Sequence, residues 1–225
     1  MGNTIILSFV YLAGISMLLI FNELVYRKFS PEGEVTRKFA HFSSVLATLP
    51  FPYFFPSHWY ILVLAALFAS VLFITRRGKL LRSIHGIERK SIGSYLLPIA
   101  IYVTFLIAEL SENKFLFILP ILILAVCDPL AAILGMSNTH FNRRISIAGM
   151  TLNKTWLGTG AFLVSSFVIS ILALYFFREV FDFKTFWLAA LVAVVTMFGE
   201  LISWRGSDNL SIPLSAVLVL VLFLE

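Results

Sequence analysis

The sequence predicts an all-α integral membrane protein, a polytopic bundle of about eight transmembrane helices, and three observations predict it. The chain is 60% hydrophobic and only 13% charged, with a mean hydropathy of +0.95 and 23 phenylalanines, a balance that soluble domains do not carry. Its apolar residues gather into runs of the length that crosses a bilayer core, about 20 residues of helix. Its cations are unevenly divided between the loops that join those runs.

The runs lie near residues 5–26, 39–56, 58–75, 91–108, 115–136, 155–177, 185–202 and 209–224. The first has no charge before it and ends in Arg27 and Lys28, which is not the pattern of a cleaved signal. Pro50 and Pro52 interrupt the second, and the last is barely long enough to span. The fifth contains "FLFILPILIL" followed directly by "AVCDPLAAILGMS", so Asp128 falls where the run should still be inside the membrane. The longest connection, about 137–154, is too short for a soluble domain, and residues 1–225 read as a single transmembrane domain. The lone Cys127 excludes an internal disulfide and reads as a small buried apolar residue.

Charge orients the bundle. The loops after spans one, three, five and seven hold Arg27, Lys28, Arg37, Lys38, Arg76, Arg77, Lys79, Arg82, Arg89, Lys90, Arg143, Arg144, Lys154 and Arg205, against only Lys114, Arg178 and Lys184 on the other side. The positive-inside rule puts the first set in the cytoplasm and both termini on the non-cytoplasmic side. The aromatic cluster "YFFPSHWY" at 53–60 then marks the outer interface. The net charge of +5 resides in these loops, with no basic arm or domain to bind nucleic acid.

The polar residues that composition does not explain all fall at or just inside the same face. They are Arg37, Lys38, His41, Arg89, Lys90, Asp128, Asn153, Lys154, Glu200, Asp208 and Asn209. Spans two, four, six and eight run outward from that face and begin at "TRKFAH", "ERKS", "LNKT" and "SDNLSIP". A helix start presents unpaired N–H groups and a partial positive charge, so four converging starts with added Lys and Arg make an anion site, most naturally for phosphates. Pro213 fits a last helix that starts near Asn209 with Asp208 as its cap.

Asp128 and Glu200 lie towards the ends of spans five and seven, where the helix dipole disfavours negative charge. Intramembrane carboxylates cost about 2.5–3.5 kcal/mol on insertion scales and are functional by default. Beside a phosphate site they suggest Mg2+, which takes a few carboxylates together with phosphate oxygens and water. Asp128 is therefore a magnesium ligand or the partner of a lysine or arginine of the site. Asp128, Ala131, Ala132 and Gly135 share one helix face, whose small residues let a neighbouring helix or a substrate come close. Other charges have plainer readings. Arg76, Arg77, Lys79 and Arg82 set topology, Glu23 and Arg27 form an i,i+4 pair, and Asn153 reads as a cap for span six. "GMTLNKT" lacks the glycine before lysine that a P-loop requires.

In this order and on these helices, "TRKFAH", "CDPLAAILG", "NKTWLG" and "GELISWRGSDNLSIPL" resemble the polyprenol kinase family, which includes phytol and farnesol kinases, dolichol kinase and CTP-dependent diacylglycerol kinases. The resemblance runs from about residue 35 to 215, with Cys127 where the family commonly has glycine and Leu157 where it has an acidic residue. It implies transfer of a phosphoryl group from a nucleoside triphosphate, CTP or else ATP, to a lipid alcohol. Asp128, Asp208 and Glu200 would serve as magnesium ligands. Arg37, Lys38, Arg89, Lys90, Asn153, Lys154, Thr155 and Asn209 would contact nucleotide or phosphate, and Glu200 or His41 would accept the hydroxyl proton. The active site would face the cytoplasm, in the cell membrane of a prokaryote or else in an endoplasmic reticulum or plastid envelope membrane. Two other readings rank lower. A phosphatidate cytidylyltransferase would carry a C-terminal Lys-Asp and Asp-Arg-x-Asp pattern that is missing here. A small-solute transporter would line its midplane and both sides with polar residues.

Overall fold

A computed structural model of the chain describes residues 2–29, 33–78, 80–85, 92–137, 142–147 and 150–224. Among them are six helices long and apolar enough to cross a membrane: α1 (Gly2–Phe29), α4 (His58–Arg77), α6 (Gly93–Leu110), α7 (Phe115–Met136), α8 (Trp156–Arg178) and α9 (Phe183–Leu201). The 16-residue α10 (Asp208–Phe223) is a shorter apolar helix. The predicted fold class is the observed one, a helical polytopic membrane bundle.

The second expected span is not one helix. It is divided into α2 (Gly33–Leu46) and the four-residue α3 (Phe51–Phe54). Pro50 explains the break, because its ring would collide with the Leu46 carbonyl and it has no N–H to bond there. The intervening turn ties itself down through Thr48, whose hydroxyl donates to the Val45 carbonyl at 2.7 Å. Another four-residue helix, α5 (Arg82–His85), joins α4 towards α6.

The loop between α7 and α8 folds into a small antiparallel hairpin that the sequence reading did not foresee. Its strands are β1 (Arg144–Ile147) and β2 (Met150–Thr155), paired in the register Arg144↔Thr155, Ser146↔Thr151 and Ile147↔Met150. Asn153 and Lys154 consequently belong to a strand and not to the first turn of a helix. Thr155, not Asn153, caps α8, its hydroxyl accepting from the Gly158 N–H at 3.2 Å.

Helix α7 is the axis of the bundle. Two thirds of its most apolar window is buried (67%), against 6% for α1, and α2, α6, α8 and α10 pack around it. The small-residue face works as expected for α8: a Cβ on Gly158 would stand 2.9 Å from the Ala131 carbonyl oxygen and 3.2 Å from Gly135 Cα. Between α9 and α10 the chain reverses through Arg205 (φ 51°) and Gly206 (φ 94°), left-handed conformations in which glycine is unstrained. That reversal returns α10 alongside the end of α9.

The α7–α8 contact generates a paired prediction. Gly158→Ala should lose about 1–3 kcal/mol, because backbone must move to admit the methyl. A Cβ on Gly160 would meet nothing within 4 Å, so Gly160→Ala should be neutral or gain up to about 1 kcal/mol. Thermal melts of the two purified variants in one detergent test both.

Candidate active site

Of the polar residues singled out in the sequence, Lys38, His41, Asp128, Lys154, Glu200 and Asp208 lie together at one end of the bundle. Lys38 on α2 donates to Asp128 Oδ2 on α7 at 2.6 Å, and both side chains are almost fully buried. His41, one turn further along α2, places Nε2 at 3.2 Å from the Leu124 carbonyl and 3.5 Å from Asp128 Oδ2. Both neighbours are acceptors, so Nε2 must carry the proton, leaving Nδ1 as the only basic atom of a neutral ring. Pro129 has no N–H to give the Ala125 carbonyl, which leaves α7 short of one internal hydrogen bond directly beside Asp128.

A second couple lies alongside. Lys154, at the end of β2, donates to Glu200 Oε1 at 2.5 Å and stands 3.5 Å from Asp208 Oδ2. The other oxygen of Glu200, Oε2, is buried with no hydrogen-bond partner. Burial alone would lower the pKa of the Lys154 ammonium, but Asp208, Glu200 and Asp128 outweigh it and hold it above the ordinary value. Lys154 therefore stays charged at physiological pH and sits within the field of all three carboxylates.

The structure answers what neutralises Asp128. It is not near enough to the end of α7, at Met136, to feel the helix dipole, which fades within a single turn. Its counter-ion is Lys38. Glu200, next to the last residue of α9, does sit where the dipole disfavours charge, and Lys154 offsets it.

Other expected site residues are displaced from their sequence-based roles. Asp208 is the first residue of α10, not its cap; Ser207 holds the cap position, its hydroxyl accepting from the Trp204 N–H at 2.8 Å and not from the helix, and Asp208 Oδ1 accepts from the Asn209 N–H at 3.1 Å. Asn209 donates from Nδ2 to the Gly93 carbonyl at 2.7 Å, latching α10 to the start of α6. Arg37 lies a turn inside α2, paired with Glu34, and within the fields of Asp128 and Asp208. Thr155 serves as a helix cap. Asn153 is on β2, and Arg89 and Lys90 lie outside the described residues. The four helix starts are thus not equivalent phosphate cradles. The cations that meet Asp128, Glu200 and Asp208 directly are Lys38 and Lys154. Sequence reasoning missed the Glu34 partner of Arg37, which its i,i+3 spacing could have marked, and the backbone carbonyls of Leu124 and Gly93, which no local pattern marks.

Among the described residues no group of three His, Cys, Asp or Glu side chains is gathered to hold a metal by itself. Magnesium rarely needs such a cage, since one or two carboxylates, water and substrate phosphates complete its shell. Carboxylates that face lysines at one end of the bundle, with a buried unpartnered oxygen on Glu200, are a donor set that fits a cation bound together with a triphosphate.

The buried α2–α7 pair can be separated from its chemistry. Lys38→Met or Asp128→Leu alone should each cost about 3–5 kcal/mol by stranding a charge, and the double variant should recover most of that loss. Melting temperatures of the singles and the double test the coupling. Activity should stay lost in all three variants, including the restabilised double.

No curated protein and no solved structure matches the chain. A family match ends at residue 204, so it contains Lys38, His41, Asp128, Lys154 and Glu200 and stops short of Asp208 and Asn209. The matching model is that of the cytidylyltransferase family and takes in residues 1–204, so the chain belongs to this family of CTP-related membrane enzymes.

Proposed function

We propose that the protein is a CTP-dependent kinase that phosphorylates the hydroxyl of a lipid alcohol. The observation that carries this reading is the buried, unpartnered Glu200 Oε2 beside two lysine–carboxylate couples. Phosphoryl transfer asks a protein mainly for positioning and charge stabilisation. Lys154 and Lys38, with Arg37 nearby, supply the positive charge for triphosphate oxygens. Asp208 and Asp128 would hold Mg2+, which when bound spreads the charge of the phosphates.

Glu200 Oε2 is the better general base. This oxygen has no hydrogen-bond donor on it, while His41, oriented through its Nε2–H, offers Nδ1 as the alternative acceptor. As the proton leaves for Oε2, the alcohol oxygen forms a bond to the γ-phosphorus. The bond from that phosphorus to the β,γ-bridging oxygen breaks, and CDP departs with the electron pair. The lipid hydroxyl would meet the nucleotide at the face with the basic loops, which the positive-inside rule makes cytoplasmic.

The family's name favours a second reading, cytidylyl transfer, in which a lipid phosphate attacks the α-phosphorus and pyrophosphate leaves. That nucleophile is already ionised and requires no base, so an unpartnered carboxylate oxygen at Glu200 would have no proton to take in that reaction. CTP labelled separately at the α- and γ-phosphates discriminates the two. A kinase places the γ label on farnesol, phytol or diacylglycerol and releases CDP. Transfer of the α label to phosphatidate with release of pyrophosphate would overturn the kinase reading.

Two substitutions test the assigned roles. Glu200→Gln should lower kcat by about 10²–10⁴-fold, the range of general-base catalysis, with little change in KM for CTP. Asp208→Asn removes a charge without removing a helix cap, so it should raise the magnesium concentration needed for half-maximal rate while leaving the melting temperature unchanged. A magnesium titration identical to wild type would take Asp208 out of the metal site.

A further inference from the structure

Asp208 reaches the site from a reversal that is gripped by a helix with no charge of its own to offer there. The only charged residue of α6, Glu109, is at its opposite end. The start of α6 nevertheless meets the chain around Asp208 at three points. The N–H of Ile92, directly before α6, donates to the Arg205 carbonyl at 2.9 Å. The Gly93 carbonyl accepts from Asn209 Nδ2 at 2.7 Å. The bare Cα of Gly93 lies against the turn itself. A Cβ there would stand 3.1 Å from Asn209 Nδ2, 3.2 Å from the Gly206 carbonyl oxygen and 3.3 Å from Gly206 Cα. Two hydrogen bonds therefore hold the reversal on either side of Asp208, and a missing side chain lets them close.

Asn209 works in two directions at once. Its side chain donates to Gly93, and its backbone N–H donates to Asp208 Oδ1 at 3.1 Å. In the first turn of a helix that N–H has no intrahelical acceptor. The bond to Oδ1 thus takes nothing from α10, and it leaves Oδ2 towards Lys154 at 3.5 Å. The other face of α10 is locked to α9. Ser211 Oγ donates to the Gly199 carbonyl at 2.7 Å, and a Cβ on Gly199 would be 2.5 Å from Ser215 Oγ. The end of α9, which carries Glu200, and the first turns of α10 move as one piece, and the bonds from Ile92 and Asn209 tie that piece to α6.

We propose that Asn209 and Gly93 are positioning residues. Neither touches the nucleotide; both hold Asp208 where it can ligate the cation that enters with CTP, as hydrogen-bonded neighbours orient metal ligands elsewhere. The inference rests on the reading of Asp208 as a metal ligand, not on which phosphate of CTP is transferred. It replaces the phosphate contact expected of Asn209 from the sequence, since Asn209 is buried with its amide engaged by Gly93.

The test measures binding and not turnover. Labelled CTP is titrated onto the full chain in nanodiscs, with no acceptor present, in EDTA and again at saturating Mn2+ in place of Mg2+. The factor by which Mn2+ tightens CTP should fall by about tenfold or more in Asn209→Ala. It should fall in Gly93→Ala as well, because the methyl presses on Asn209 and the turn. Affinity for CTP in EDTA should match the wild type in both. Once Asp208→Asn has removed the carboxylate, adding Asn209→Ala should reduce the factor no further, since the two changes act through one interaction. A merely structural tie would lower the melting temperature and leave the Mn2+ factor of the folded protein unchanged. A direct phosphate contact would weaken CTP in EDTA and persist in the Asp208→Asn background. Either result overturns the proposal, as does a wild type whose affinity for CTP ignores Mn2+. Transfer of the α label of CTP, with the Mn2+ effects as expected, would remove the kinase reading and leave the positioning roles standing. Transfer of the γ label with no Mn2+ effect in Asn209→Ala would do the reverse. If Gly93→Ala fails to fold, the Asn209→Ala series decides.

Discussion

The ion pair between Lys38 and Asp128 is the constraint on which the rest depends. A carboxylate inside an apolar helix is tolerated only with a partner, and here the partner comes from the one span that is broken short of full length. The 2.6 Å bond fixes α2 against α7, and that contact in turn sets His41 at Leu124. A bundle built only from apolar stripes would let helices slide or rotate with small penalties. One buried charge pair picks out a single register, as polar pairs in apolar interfaces can.

Lys154 extends the same logic to a different kind of element. Charge is supplied from the end of a short β-ribbon and is met by Glu200 at the close of α9 and Asp208 at the opening of α10. The three carboxylates are thus distributed over three helices while two ammonium groups hold them apart. Phosphate oxygens can compete for those ammonium groups, which would release carboxylates for a cation. With three carboxylates against two ammonium groups the cluster carries one uncompensated negative charge.

Most of the scaffold was legible in the sequence because hydropathy reports it directly. The run read at 115–136 is α7, and that read at 185–202 differs from α9 by two residues at one end and one at the other. The break in the second span was also visible, in Pro50. The hairpin was not, since its strands are short and the polar loop around them carries no alternation strong enough to outweigh the apolar runs on either side. The site residues were recognisable by type and depth, but their partners were not. Lys38 and Asp128 are 90 positions apart, and no local pattern encodes a contact between helices. Asp208 shows the limit at finer scale: the residue types that cap a helix also begin one, and a shift of one position decides which oxygen is left for the site.

The hairpin between α7 and α8 has a bearing on how this chain could diversify. Its base is pinned by the Trp156 N–H, which donates to the Arg143 carbonyl at 3.1 Å, by the Arg144↔Thr155 pairing and by the Thr155 cap. Lys154 belongs to that pinned base. Residues near the tip can be added, removed or replaced without moving the ammonium group, so the length of the ribbon is free to drift among descendants. A fusion tag or an epitope inserted between the strands would be tolerated for the same reason.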